Sequence, residues 1–244
     1  MKRLVWLSAN RFGYELLKEV SKSVSAVITL SPNAKTVQYD AVKPSEWYKL
    51  KLPVYPIEDI NKEADLLRMI KADTIIMCGW RQVLSNEILS IPQDGVVAFH
   101  PTLLPEGRGS APIINSILEG LDVSGVTAYY AKDGIDNGDI ITQIPFPINK
   151  QDYAMDVYNK IIWAGRMIIG DIVPELLKGK LLSVPQDEAE ATYFPTRSLK
   201  DNEILESDSI EMANRKIRAF SKPYRGAFIR QGDKEIIIWK GEAL

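Results

Sequence analysis

Apolar residues in this chain come in short unbroken runs separated by polar breakers. Leu4-Val5-Trp6-Leu7, Ala26-Val27-Ile28-Thr29-Leu30, Thr74-Ile75-Ile76-Met77-Cys78 and Val96-Val97-Ala98-Phe99 are such runs, with little polar alternation. That pattern predicts strands covered on both faces, as in a parallel sheet. Between the runs the period becomes that of a helix. Gly13 to Val20 and Glu63 to Lys71 fit it, as does a segment opened by Ser110-Ala111-Pro112 that carries Ile113, Ile114, Ile117 and Leu118 before Gly120 stops it. Val126 to Tyr130 and Ile140 to Ile144 predict two further strands, and Asp152 to Leu177 a long helix with a broad apolar face. The stretch from 31 to 60, with Pro32, Pro44, Pro53 and Pro56, reads as loop with short pieces of structure. Alternating strand and helix predicts an α/β fold: a doubly wound, mostly parallel, Rossmann-like sheet.

Beyond residue 183 the character changes. Short aromatic and acidic pieces lead to a helix from Ile210 to Phe220 and a last strand from Glu235 to Trp239. Two units are expected, a core over 1–183 and a small C-terminal helical/strand subdomain over 184–244, which suits a chain of 244 residues.

Composition narrows the chemistry. A net charge of -2 argues against nucleic acid as the main partner. One cysteine, Cys78, excludes an intramolecular disulfide framework and suits a reduced cytoplasmic interior. With one cysteine and one histidine, a structural zinc site lacks its usual ligands, and no metal is expected. No window approaches about 18 consecutive apolar residues, so no membrane span is expected. The turn after the first strand, Ser8 to Gly13, lacks G-x-G-x-x-G and so gives a nicotinamide dinucleotide poor support.

The single histidine, His100, follows the run Val96 to Phe99 at the carboxyl end of its strand, where open parallel sheets place their sites. A loop with two prolines and two glycines comes next, stiff in places and able to approach a ligand in others. One helix and one strand later lies an acidic loop, Gly134-Ile135-Asp136-Asn137-Gly138-Asp139, placed to fold back beside the histidine.

His100, Thr102-Leu103-Leu104-Pro105, Arg108-Gly109, Gly125-Val126-Thr127 and Asp136-Asn137-Gly138-Asp139-Ile140 together resemble the motif series of the folate-dependent formyltransferases. Thr192 to Arg197 and the spaced set Arg218-Ala219, Pro223-Tyr224 and Gly226-Ala227-Phe228 resemble the branch that acts on sugar nucleotides. The resemblance implies formyl transfer from 10-formyltetrahydrofolate to the primary amine of a nucleotide-linked amino sugar, in surface polysaccharide biosynthesis, and the long apolar helices and the terminal strand suit a two-fold homodimer in the cytoplasm. It implies His100 as the proton-handling group and Asp136 as the carboxylate that orients it. Trp80, Gln82, Val83, Leu84, Thr102, Leu103, Leu104, Pro105, Gly134, Ile135, Asp136 and Asp139 are the implied cofactor contacts. Asn10, Arg108, Tyr193, Arg197 and Tyr224 are expected to bind the acceptor, with Arg218 and Lys222 as further candidates for its diphosphate.

One position departs from the family pattern. The asparagine that precedes the histidine by two residues, implied to hold the formyl oxygen, is Ala98 here. Its loss implies about 10²–10³ in turnover. Two explanations stay open: a replacement in an otherwise intact site, which the intact surroundings favour, or a natural chain that works differently or only binds. The alternative acceptors are glycinamide ribonucleotide, opposed by the tail motifs, and transfer RNA, opposed by the balanced charge and by a tail shorter than the expected barrel.

Overall fold

The computed structural model describes residues 2–36 and 39–241. Met1 and residues 242–244, the outer ends of the two expected units, lie outside the described residues, as do Val37 and Gln38.

The main sheet is built from β1 (Leu4–Leu7), β2 (Val24–Leu30), β3 (Val54–Ile57), β4 (Thr74–Cys78) and β5 (Val96–His100), with two long strands beyond them. A two-residue strand, β6 (Arg108–Gly109), stands apart and is followed by β7 (Val123–Tyr130) and β8 (Ile140–Pro147). The order is β3-β2-β1-β4-β5-β7-β8. The first five pair in parallel, while β7 runs antiparallel to β5 and β8 antiparallel to β7.

Alternate side chains of the buried strands enter two cores. Leu4, Trp6, Ile76, Val97 and Phe99 meet α1 (Arg11–Val20), α5 (Pro112–Glu119) and α6 (Ala154–Leu176) on one face. Val5, Leu7, Ile75 and Val96 meet α3 (Ala64–Ile70) and α4 (Asn86–Ser90) on the other. The result is a helix-sheet-helix sandwich, the doubly wound, mostly parallel α/β arrangement that the period changes predict.

The stretch from 31 to 60 holds more order than its prolines suggest. Pro44 occupies the first turn of α2 (Pro44–Lys49), where its missing N–H costs nothing. Pro56 sits in β3, an edge strand, where a missing donor is tolerated.

The tail is sewn into this body. β9 (Tyr193–Phe194) pairs in parallel with β6, Tyr193 opposite Arg108. The helix α7 (Ile210–Ala219) packs on α5, and Ala219, Phe220 and Ala227 join the core that α6 covers. A hairpin of β10 (Ala227–Gln231) and β11 (Lys234–Ile238) follows. Three chain segments leave the sheet at its carboxyl edge side by side: Ser8 to Asn10 after β1, Gly79 to Arg81 after β4, and His100 itself.

Candidate active site

β5 carries His100 as its last residue, 6% exposed. Its Nε2 lies 2.8 Å from the carbonyl of Gly107. A carbonyl only accepts, so Nε2 bears the proton there. The other nitrogen, Nδ1, faces Asp136 Oδ2 at 3.4 Å, longer than a direct hydrogen bond.

Asp136 is held from three sides. Its backbone is left-handed, φ +49°, a conformation that short polar side chains tolerate better than most. The Gly109 N–H donates to Oδ2 at 2.8 Å, and the Tyr129 hydroxyl donates to Oδ1 at 2.6 Å. Gln186 Nε2 donates to the main-chain carbonyls of Asp136 and Gly138 at 2.8 and 2.7 Å, fixing the acidic loop from behind.

The Gly125-Val126-Thr127 element has a mechanical role in this arrangement. Thr127 stands opposite His100 in the β5–β7 register. Its hydroxyl donates to the Thr102 carbonyl at 2.7 Å and accepts from the Leu104 N–H at 3.1 Å and from Gln143 Nε2 at 2.8 Å. The loop after His100 is thereby pinned. A Cβ at position 125 would lie 2.3 Å from Leu103 Cδ2, so glycine there lets the loop lie down on β7. Thr102 and Leu104 are buried scaffold, while Leu103 and Pro105 reach the surface in part.

Four of the five expected acceptor contacts, Arg108, Tyr193, Asn10 and Arg197, are engaged within the protein. All five N–H donors of Arg108 are spent within the protein, on Gln186, Glu188 and the Tyr193 hydroxyl. Arg108 is fully buried and clasps β6 to the tail, leaving no donor for a ligand; its partner Tyr193 shares that clasp. Asn10 caps α1: its Oδ1 accepts from the Gly13 N–H at 3.1 Å and its Nδ2 donates to Asp40 at 3.0 Å. Arg197 is tied to Asn115 at 2.6 Å and to Asp201 at 3.5 Å. Arg218 is buried against the Asp152 carbonyl and Asn214, an internal tie between α7 and the start of α6. Lys222 lies over the Trp239 ring, 5.7 Å from its centroid.

Tyr224, the last of the expected acceptor contacts, is half-buried. A cavity of about 400 Å³ lies next to the carboxyl edge, lined by Arg11, Tyr14, Asp40, Lys43, Glu46, Met155, Tyr158 and Pro223. Asp40 is its polar centre, accepting from Tyr158 at 2.6 Å, with the Arg81 guanidinium 3.6 Å away. Tyr224 meets Tyr39 edge to face at 5.8 Å, and burial together with the Asp40 charge pushes its phenol up. Sequence reasoning missed Asp40 and Tyr158, since neither belongs to a motif.

The expected cofactor loop follows β4. The side chain of Gln82 is used internally, accepting from the Ile60 N–H and donating to the Glu58 carbonyl, and Leu84 is buried in the lower core. Val83 is 71% exposed. The main-chain N–H groups of Val83 and Leu84 carry no hydrogen bond among the described residues, so this edge offers donors to a ligand. In the acidic loop Gly134 and Ile135 are exposed, and Asp139 faces Lys132 at 3.9 Å. Among the described residues no three His, Cys, Asp or Glu side chains group as a metal site would need, and no helix is long and apolar enough to cross a membrane.

Comparison with known proteins places the chain. The family described as formyl transferase matches residues 14–172. A methionyl-tRNA formyltransferase of Halalkalibacterium halodurans is 30% identical over 98% of this chain and 78% of its own length. The bifunctional polymyxin resistance protein ArnA of Wigglesworthia glossinidia brevipalpis is 33% identical over 93% of this chain, which spans only 35% of that protein. Among solved structures, an N-formyltransferase from Helicobacter canadensis, in complex with folinic acid and dTDP-3-aminofucose, superposes with a TM-score of 0.71 at 23% identity, over 90% of this chain and 81% of that one.

Proposed function

The chain belongs to the formyl transferase family, and on that premise we propose that it moves the formyl group of 10-formyltetrahydrofolate to the primary amine of a nucleotide-linked amino sugar. The observation that carries this reading is the His100–Asp136 pair on the same sheet edge as the cavity lined by Asp40 and Tyr158. The Helicobacter canadensis structure, with a folate and an amino-sugar nucleotide together, supports the pairing of ligands.

In this reading the folate supplies the formyl carbon and is held at the Val83 and Leu84 N–H groups, between Trp80 and the exposed side of the acidic loop. Asp40 and Tyr158 line the acceptor's cavity, with Arg81 beside Asp40, and the segment 184–244 contributes Pro223 to it. His100 handles the amine's proton. With Nε2–H committed to Gly107, Nδ1 is the nitrogen left to take a proton, and a proton there lies against Asp136 Oδ2. Since the pair is nearly closed off, the exposed acidic loop is the side from which substrates enter. The same reading carries a cytoplasmic homodimer, whose mass in solution is measurable by light scattering.

A second acceptor has one specific observation behind it, the methionyl-tRNA formyltransferase that matches nearly the whole chain. Formylation assays with 10-formyltetrahydrofolate, set up in parallel with dideoxy-amino-sugar nucleotides and with methionyl-tRNA, separate the two. Turnover on a sugar nucleotide, reduced about 10²–10⁴-fold in His100→Ala and Asp136→Asn, is expected. Turnover on methionyl-tRNA alone overturns the sugar reading.

A further inference from the structure

A row of side chains crosses the sheet beside the histidine and gives Ala98 a reason. Met77, Ala98, Tyr129 and Ile140 stand in register on β4, β5, β7 and β8, so they share one face. His100, two residues after Ala98, lies on that face as well. Ala98, Leu104 and Tyr129 form a buried cluster, with Met77 and Ile140 packed against it. Ala98 is the one small member between larger neighbours on both sides, and it is 1% exposed. A carboxamide at 98 would have to enter this closed row against Met77 and the tyrosine ring. The ring ends in the hydroxyl that donates to Asp136 Oδ1 at 2.6 Å. Burial, then the neighbouring carboxylate, pushes the phenol well above its ordinary range, which keeps the hydroxyl a donor.

We infer that Ala98 and Tyr129 are a matched pair native to this chain, in which alanine makes room for the ring and the tyrosine hydroxyl acts as a positioning group for Asp136. Asp136 has one oxygen on the Tyr129 hydroxyl and the other shared between the Gly109 N–H and His100. Fixing the first oxygen aims the second. Ala98 is then a fitted part of the site, and restoring asparagine at that position alone harms it. The kinetic side of this inference rests on the formyl-transfer reading; the packing side does not.

The experiment compares the parent chain with Ala98→Asn, Tyr129→Ala, their combination, Tyr129→Phe and Tyr130→Phe. Thermal unfolding is expected to show that Ala98→Asn lowers Tm when made in the parent, and does so much less when made in Tyr129→Ala, where the ring is gone. Tyr129→Phe is expected to lower kcat about tenfold with KM changed less than about twofold, and to speed exchange of the Gly109 amide about tenfold. Tyr130→Phe, which removes a neighbouring buried hydroxyl that accepts from the Leu181 N–H, is expected to leave kcat and Gly109 exchange unchanged. A rise in kcat for Ala98→Asn at undiminished Tm overturns the pairing. Unchanged Gly109 exchange in Tyr129→Phe overturns the positioning role. If no variant formylates any acceptor, the functional reading fails, while the unfolding and exchange results still decide this one.

Discussion

A guanidinium with every N–H engaged cannot be exchanged for an ammonium. Arg108 spans Gln186, Glu188 and Tyr193 with a planar fork, and a lysine at 108 has neither the reach nor the donors to hold all three. Arg108→Lys is expected to cost about 1–3 kcal/mol, most of it from Gln186 left without its buried partner, and to lower Tm by several degrees in a calorimetric scan. Glu188→Gln, whose side chain is largely exposed, is expected to change Tm by less than a third of that amount. The sequence marks Arg108 as important without saying for what, because a motif arginine looks the same whether it meets a phosphate or a glutamine. His100 and Asp136 are more legible. The only histidine sits at a strand's carboxyl end, and an acidic loop returns after one helix and one strand, so topology alone brings the two together. Tyr129 carries a usable signal too: two residues after Thr127 on the same strand, it has to share the face of His100.

At the scale of elements, Asn10 shows how a cap can pose as a ligand contact. It ends the loop after β1, the usual address of a binding residue in such sheets, yet its side chain closes the first turn of α1 and braces Asp40. Asn10→Ala is expected to cost about 1–2 kcal/mol in denaturant unfolding, whereas Asn10→Asp, which keeps the cap but sets two carboxylates together, is expected to lose stability through Asp40. The cap also explains why α1 begins at Arg11, earlier than the apolar period suggests. Two buried strands are legible to the residue: β1 and β4 run over the apolar runs themselves. Elements that lack a continuous apolar run are not. β7 starts at Val123 through the breakers Ser124 and Gly125, and α4 has five residues, too few to establish a period. β10 is hidden because only its first two residues, Ala227 and Phe228, are buried, and two adjacent buried residues imprint no alternation.

For the whole molecule, the question is what keeps the tail on the body, since β6–β9 is a ladder only two residues long and leaves no pattern in the sequence beyond Tyr193-Phe194. Apolar contact through α7, Phe220 and Ala227 supplies part of the answer. Charge adds one tie across the join, Glu188 to Arg108, and one inside the tail, Asp208 to Lys216. Burial raises the Asp208 carboxyl, but the Lys216 ammonium at 2.6 Å and the Leu205 N–H outweigh it, so the carboxyl ends below its ordinary range. Hydrogen bonding to Arg108 lowers Glu188 in the same way. A carboxyl lowered in the folded state contributes stability that is complete above its unfolded value, about 4, and is lost as pH falls through the folded value. Acid should therefore loosen this segment as both ties are protonated. Asp208→Asn is expected to melt below the parent at pH 7, and the gap to close as pH is taken below about 4, where the parent's carboxylate is progressively neutralised. A gap of constant size would mean that packing around α7, and not the Lys216 pair, holds the tail's own fold.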